Sequence, residues 1–175
     1  MGKLRILGSG TSTGVPEIGC TCPVCTSTDP RDNRLRASSL LHTDDAVILI
    51  DCGPDFREQM LRASSFEKID GVLVTHEHYD HVGGVERLLE NIPIEKMYVG
   101  KSFFQEKYHE KKDGTIKNIG ISFSRNDVER YGVKICEIEE DSREIFPGIT
   151  IHRNFERITD YEQGNPHFFV KEKGV

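Results

Sequence analysis

The segment Thr75-His76-Glu77-His78-Tyr79-Asp80-His81 constrains this chain more than any other. Four metal-binding side chains, His76, His78, Asp80 and His81, follow directly on the apolar run Gly71-Val72-Leu73-Val74. Neutral imidazoles together with a carboxylate suit zinc or a similar first-row divalent ion. A helical zinc motif of the H-E-x-x-H type requires a second histidine four residues after the first, and position 80 is aspartate. On a helix His76 and His78 would point to nearly opposite sides, whereas on an extended segment residues two apart share a face. The spacing therefore predicts a ligand-bearing loop at the end of a strand, holding two ions.

The 175 residues predict one domain. With 23 basic and 29 acidic residues the net charge is −6, which supplies no broad basic surface for nucleic acid. Arg31, Arg34 and Arg36 could hold one phosphate, but a solvated basic loop is the expectation. No stretch approaches the roughly 18 apolar residues of a membrane span. The start, Met1-Gly2-Lys3-Leu4-Arg5, leads straight into a strand and lacks a signal-peptide core. Five cysteines, three of them crowded at Cys20, Cys22 and Cys25, then favour reduced thiols or metal ligands over disulfides. A cytoplasmic protein with neither a membrane nor a nucleic-acid partner is expected.

Strands are predicted at Lys3 to Gly8, Ala37 to Thr43, Ala46 to Cys52, Gly71 to Thr75 and Glu95 to Val99, with a hairpin turn at Asp44-Asp45. Pro54-Asp55 suits the first turn of a helix through about Arg62, and a second helix is predicted over Val82 to Glu90. Beyond residue 100 a helix is expected around Phe103 to His109. Strands are expected at Ile119 to Phe123, Val133 to Glu137, Gly148 to His152 and His167 to Val170. Strands with helices after some of them predict an α/β layered sandwich. Asp51, at the end of its own apolar strand, is placed to orient a ligand imidazole from behind. Gly83-Gly84 lets the backbone turn closely into a helix after the box. The turn Gly8-Ser9-Gly10-Thr11-Ser12-Thr13-Gly14 lacks the Gly-Lys-Ser/Thr ending of a P-loop and reads as a tight strand-to-loop turn. Cys136, in a strand-like run, reads as a small core residue.

The order Asp51-Cys52-Gly53, then Thr75-His76-x-His78-x-Asp80-His81-x-Gly83-Gly84, resembles the metallo-β-lactamase superfamily of hydrolases. That resemblance implies an αβ/βα sandwich with a dinuclear site at one edge. His76 and His78 would serve one metal, Asp80 and His81 the other, with Asp80 also the catalytic carboxylate and a hydroxide between the metals as nucleophile. Gly8 to Pro16, Cys20-x-Cys22-Pro23-x-Cys25, Asp29-Pro30-Arg31 and Asp51-Cys52-Gly53-Pro54-Asp55-Phe56-Arg57 narrow the match. Residues 3 to 90 are similar to the phosphoribosyl cyclic phosphate phosphodiesterases of the carbon–phosphorus lyase pathway. The similarity implies a small phosphodiester substrate, zinc or manganese at the box, and a structural zinc on Cys20, Cys22 and Cys25. A closed structural zinc site wants four ligands, and His42, His109, His152, His167 and Cys136 are all open as the fourth.

The superfamily also implies three later ligands, a His, a bridging Asp and a final His. Here His152 and Asp160 are the candidates. Residues 104 to 174 more loosely resemble the methanopterin-precursor synthase-like members, through Tyr108-His109, Phe146-Pro147-Gly148-Ile149 and Arg157 to Glu162. The expectation is a single domain, residues 1–100 forming a first αβ half with the box and 101–175 an atypical, shortened second half. Such a chain is a composite or shortened form, or a compact one completed by His152, Asp160 or a second copy in a homodimer. A pterin-type synthase, a thioester or lactone hydrolase, and a non-catalytic metal-binding protein are the rival functions.

Overall fold

The computed structural model describes residues 2–63, 68–154 and 167–170. Its main element is a six-stranded sheet in the order β1-β2-β3-β4-β5-β8. β1 (Lys3–Gly8), β2 (Ser38–His42) and β3 (Val47–Ile50) form an antiparallel meander. β4 (Gly71–Leu73), β5 (Lys96–Gly100) and β8 (Lys134–Ile138) continue it in parallel with β3. The period-2 alternation of each strand divides its side chains between two layers. Leu49, Val72 and Met97 join Phe56 and Met60 of α1 (Phe56–Ala63) and Val85 and Leu88 of α3 (Val85–Asn91) in the larger core. On the opposite face Leu73, Tyr98 and Cys136 pack against Ile145, Phe146, Ile149 and Ile151, which come from the hairpin of β9 (Ser142–Phe146) and β10 (Ile149–His152). Leu4 and Ile6, on the edge strand β1, stay 56% and 58% exposed.

Up to residue 100 the elements follow the expected boundaries closely. The strand expected over Gly71 to Thr75 ends at Leu73, a short 3-10 turn forms at Pro30–Asp32 in the expected loop, and the helix predicted over Val82 to Glu90 divides into α2 (Tyr79–Val82) and α3. The cause of the division is contact: a Cβ added at Gly84 would lie 2.2 Å from Gly53 O, so two backbones meet where the helix would otherwise continue.

The second half corrects two expectations. No helix forms around Phe103 to His109. Phe103 instead turns into the core beside Phe104 and Phe123, and β6 (Lys107–Glu110) pairs with β7 (Ile116–Asn118) and β11 (Phe168–Val170). Pairing on both sides outweighs the local helical pattern. Ile119 to Phe123 is not a strand, because Asn118 Oδ1 accepts from Gly120 N and bends the chain there. It leads into α4 (Arg125–Glu129), opened by a capping box between Ser124 and Asp127. Among the described residues no helix is long and apolar enough to cross a membrane.

Candidate metal centre

Because β3 and β4 are parallel neighbours, Asp51 and Thr75 emerge at the same edge of the sheet. Asp51 takes a left-handed backbone conformation, φ 59°, which Asp tolerates better than most residues. That bend turns its carboxylate toward the box. Its Oδ1 accepts from Thr75 N at 2.8 Å, and its Oδ2 accepts from Thr75 Oγ1 at 2.7 Å. The same Oδ2 lies 2.7 Å from His81 Nδ1. A neutral His81 that donates from Nδ1 keeps its lone pair on Nε2, the arrangement metal-binding histidines use.

The loop that carries the box is pressed onto the strand ends. Cys52 N donates to His81 O and Gly84 N to Cys52 O, at 2.7 and 2.8 Å. A Cβ on Gly53 would lie 2.1 Å from Asp80 O, so position 53 admits only glycine without rearrangement. The three imidazoles converge: the His76 ring centre is 3.8 Å from that of His81 and 4.8 Å from that of His78. Asp80 Oδ2 stands 3.2 Å from His81 Nε2. Burial, helped by the adjacent His81 and His78 rings, holds the His76 imidazole below its ordinary pKa. A neutral His76 retains a lone pair, so the donor chemistry of all four side chains fits a divalent transition-metal ion.

Cys20, Cys22 and Cys25 also come together, with Sγ atoms all within 4.8 Å of one another. Among the described residues this is the group of three or more metal-ligating atoms that closes to such a spacing; the box is looser. Turn hydrogen bonds shape the loop, Cys20 N to Glu17 O at 3.1 Å and Thr26 N to Cys22 O at 3.0 Å. The Cys25 amide, and then the Cys20 and Cys25 thiols, pull the Cys22 thiol down to about 7. Among the described residues His42, His109, His152, His167 and Cys136 do not join this group, so the fourth position is not supplied by any of them here.

Other candidates separate. His152 is exposed on β10 and, among the described residues, makes no hydrogen bond or ring contact with the box. Asp160, with the rest of Arg157 to Glu162, lies outside the described residues. Arg31 pairs with Asp29 and is 88% exposed, as a solvated loop predicts. Arg36 corrects that expectation, for its guanidinium bonds Asp55 and the Ser12 carbonyl. Cys136 is partly buried against the second core.

Two contacts with the box had no signal in the sequence. Lys107 Nζ of β6 lies 3.1 Å from Glu77 Oε1, both side chains largely buried. Phe168 of β11 packs edge-on against His78 and His109, at 5.5 and 4.9 Å between ring centres. Both depend on long-range pairing of β6 with β11, which no local pattern encodes.

A parallel-sheet edge bearing a cluster of His and Asp side chains, buttressed by a buried aspartate, defines an α/β fold whose edge could hold a metal. The chain belongs to the metallo-beta-lactamase superfamily, whose family model matches residues 31–159. It is 60% identical over 84 residues to an octanoyltransferase of Porphyromonas gingivalis, a match covering 47% of this chain and 17% of that protein. It is 34% identical over 104 residues to coenzyme PQQ synthesis protein B of Rhodopseudomonas palustris, covering 53% of this chain and 34% of the relative. Among solved structures, a diphosphatase of the PhnP family superposes with a TM-score of 0.61 at 31% identity, over 83% of this chain and 54% of the other. Zinc-bound PqqB of Methylobacterium extorquens superposes with a TM-score of 0.62 at 23% identity, over 86% and 50% of the two chains. The chain thus spans about half the length of these solved structures and less of the curated relatives.

Proposed function

We propose that the protein is a metal-dependent hydrolase of phosphodiesters, with His76, His78, Asp80 and His81 as its metal ligands. The observation that carries this reading is the Asp51 carboxylate, which holds His81 Nδ1 at 2.7 Å and so aims Nε2 into the cluster. The similarity to a PhnP-family diphosphatase supports a phosphate ester as the substrate class. A divalent ion such as zinc or manganese, when bound, supplies Lewis acidity and lowers the pKa of water at the site. The chain's own residues do the rest. Asp51 fixes the tautomer of His81, Thr75 fixes Asp51, and burial keeps His76 neutral. The Asp80 carboxylate, with Oδ2 3.2 Å from His81 Nε2, is the carboxylate we assign to orient the attacking water beside the ligands.

The test is hydrolysis of a chromogenic phosphodiester by zinc- or manganese-loaded protein. His78→Ala is expected to lower the rate by more than about 100-fold, as is a chelator. Activity indifferent to both would refute the reading. One observation favours a binding-only alternative: among the described residues no side chain from the second half joins the box as a ligand. Metal stoichiometry separates the two, since two ions at the box support turnover and a single weakly held ion supports binding alone.

A further inference from the structure

The three-stranded sheet of β6, β7 and β11 turns one face toward the box. Directly paired residues of an antiparallel sheet share a face, as do residues two apart on one strand. Phe168 pairs with His109 and Val170 with Lys107, so these four side chains stand together on one face. Two of them touch the box from different strands. Lys107 Nζ lies 3.1 Å from Glu77 Oε1, and the Phe168 ring centre lies 5.5 Å from that of His78. Lys107 Nζ also donates to Ser102 O at 2.5 Å, which fixes the start of β6. The placement of Phe168 beside a candidate ligand therefore rests on strand pairing and an ion pair as well as on the ring contact.

Phe168 is held without being covered. His78 and His109 meet its ring at 81° and 75°, the edge-to-face arrangement that aromatic rings favour. Yet 44% of the residue stays exposed, whereas Phe103 and Phe123, also from the second half, are 2% and 6% exposed. Val170, two residues further along the same face, is 38% exposed. An aromatic ring in a fixed orientation, open to solvent and in contact with His78, offers a π surface to whatever is bound at that imidazole.

We propose that Phe168 is a specificity-determining residue, with His109 the residue that holds its ring in place. It stacks the planar ring of a phosphate ester that carries an aromatic group and whose phosphoryl group is bound at the box. Stacking tolerates many ring types, so the class it selects is aromatic esters over aliphatic ones of the same charge. The inference rests on the phosphodiesterase reading above.

The test compares phenyl phosphate with cyclohexyl phosphate, which share a charge and nearly an apolar size but differ in having a π face. Their affinities are measured by titration calorimetry on the zinc-loaded chain, in the unmodified protein, Phe168→Leu and Phe168→Tyr. The unmodified protein is expected to bind phenyl phosphate about fivefold more tightly. Phe168→Leu is expected to abolish that preference and Phe168→Tyr to keep it, with zinc affinity within about twofold of the original in both. Equal affinities in the unmodified protein, or a preference that survives in Phe168→Leu, overturn the stacking role and leave the hydrolase reading intact. Equal weakening of both esters, or loss of zinc, in Phe168→Leu likewise overturns it, because packing alone would do that. Should Phe168→Leu not fold, nuclear Overhauser effects between phenyl phosphate and the Phe168 ring in the unmodified protein decide the point, and their absence overturns the role. Failure of both esters to bind the zinc-loaded protein overturns both readings.

Discussion

His76, His78 and His81 stand at the end of a buried parallel sheet, whereas Cys20, Cys22 and Cys25 stand on a loop built from turns. The histidines are held from behind, with the Asp51 carboxylate serving Thr75 and His81 at once, yet their ligand atoms do not close as tightly as the thiols do. The thiols are close together, yet they sit on a partly exposed loop held by turn hydrogen bonds and by the Glu17 and Cys25 amides, which donate to Cys25 Sγ and Cys22 Sγ. The difference separates two ways a protein can prepare for a metal. At the box the scaffold orients the candidate ligands from behind, so the fold is expected to survive loss of a metal. At the cysteines a bound metal would have to supply the rigidity, as structural zinc does in small modules.

Removing the buttress is the strongest way to break that comparison. Asp51→Ala strips three donors of their acceptor at a site 5% exposed, and is expected to cost about 3 kcal/mol. It should also weaken metal at the box by about 10- to 100-fold. Urea denaturation and a zinc titration check the pair, and unchanged affinity would mean that the sheet does not orient the ligands.

Gly53→Ala forces a methyl group to within 2.1 Å of Asp80 O and is expected to destabilise the chain by about 2 kcal/mol while disturbing metal uptake. Equal stability in the melting curve would show that the loop is not pressed onto the strand ends.

The cysteine side is sharpened by Cys22→Ser with Cys25→Ser. Bound zinc should fall by one ion per chain, while the metal-free stability changes by less than about 0.5 kcal/mol, since both positions are surface turns. Unchanged zinc per chain would remove the cysteine site from the account.

The smallest effect lies at the opposite end of the sheet. Asp70 Oδ2 accepts from Val47 N, and chiefly its hydrogen bond to Lys68 holds its carboxyl below the ordinary pKa. A depressed carboxyl stabilises the fold above its unfolded value and loses that contribution as pH falls through the folded one. Asp70→Asn should therefore cost up to about 1 kcal/mol near neutral pH. The difference should vanish in acid, with metal affinity unaltered. A change in affinity would show that the strand ends are coupled.

These contrasts also explain what could be read in advance. Val47-Ile48-Leu49-Ile50 and Gly71-Val72-Leu73-Val74 are short apolar runs ending in Asp51 and in Thr75-His76, so strand, edge and ligands are written in one stretch each. The three thiols are likewise local. Beyond residue 100 the informative contacts are long-range. Lys107 reaches Glu77 and Phe168 reaches His78 because β6 pairs with β7 and β11, and Tyr108-His109 carries no period that separates that strand from a helix. One missed element did have a local signature: Ser124-Arg125-Asn126-Asp127 is a capping box, and it opens α4. Arg36 could not have been singled out from Arg31 and Arg34, because its partners Asp55 and Ser12 lie 19 and 24 residues away.

The central claim is that the sheet edge prepares a metal site from His76, His78, Asp80 and His81. An anomalous-scattering map at the zinc edge, from crystals of the zinc-loaded protein, tests it directly. The account predicts two peaks about 2.0–2.2 Å from imidazole nitrogens and the Asp80 carboxylate, and a separate one about 2.3 Å from the thiols. Zinc at the cysteines with none within bonding distance of His76, His78 or His81 would contradict it.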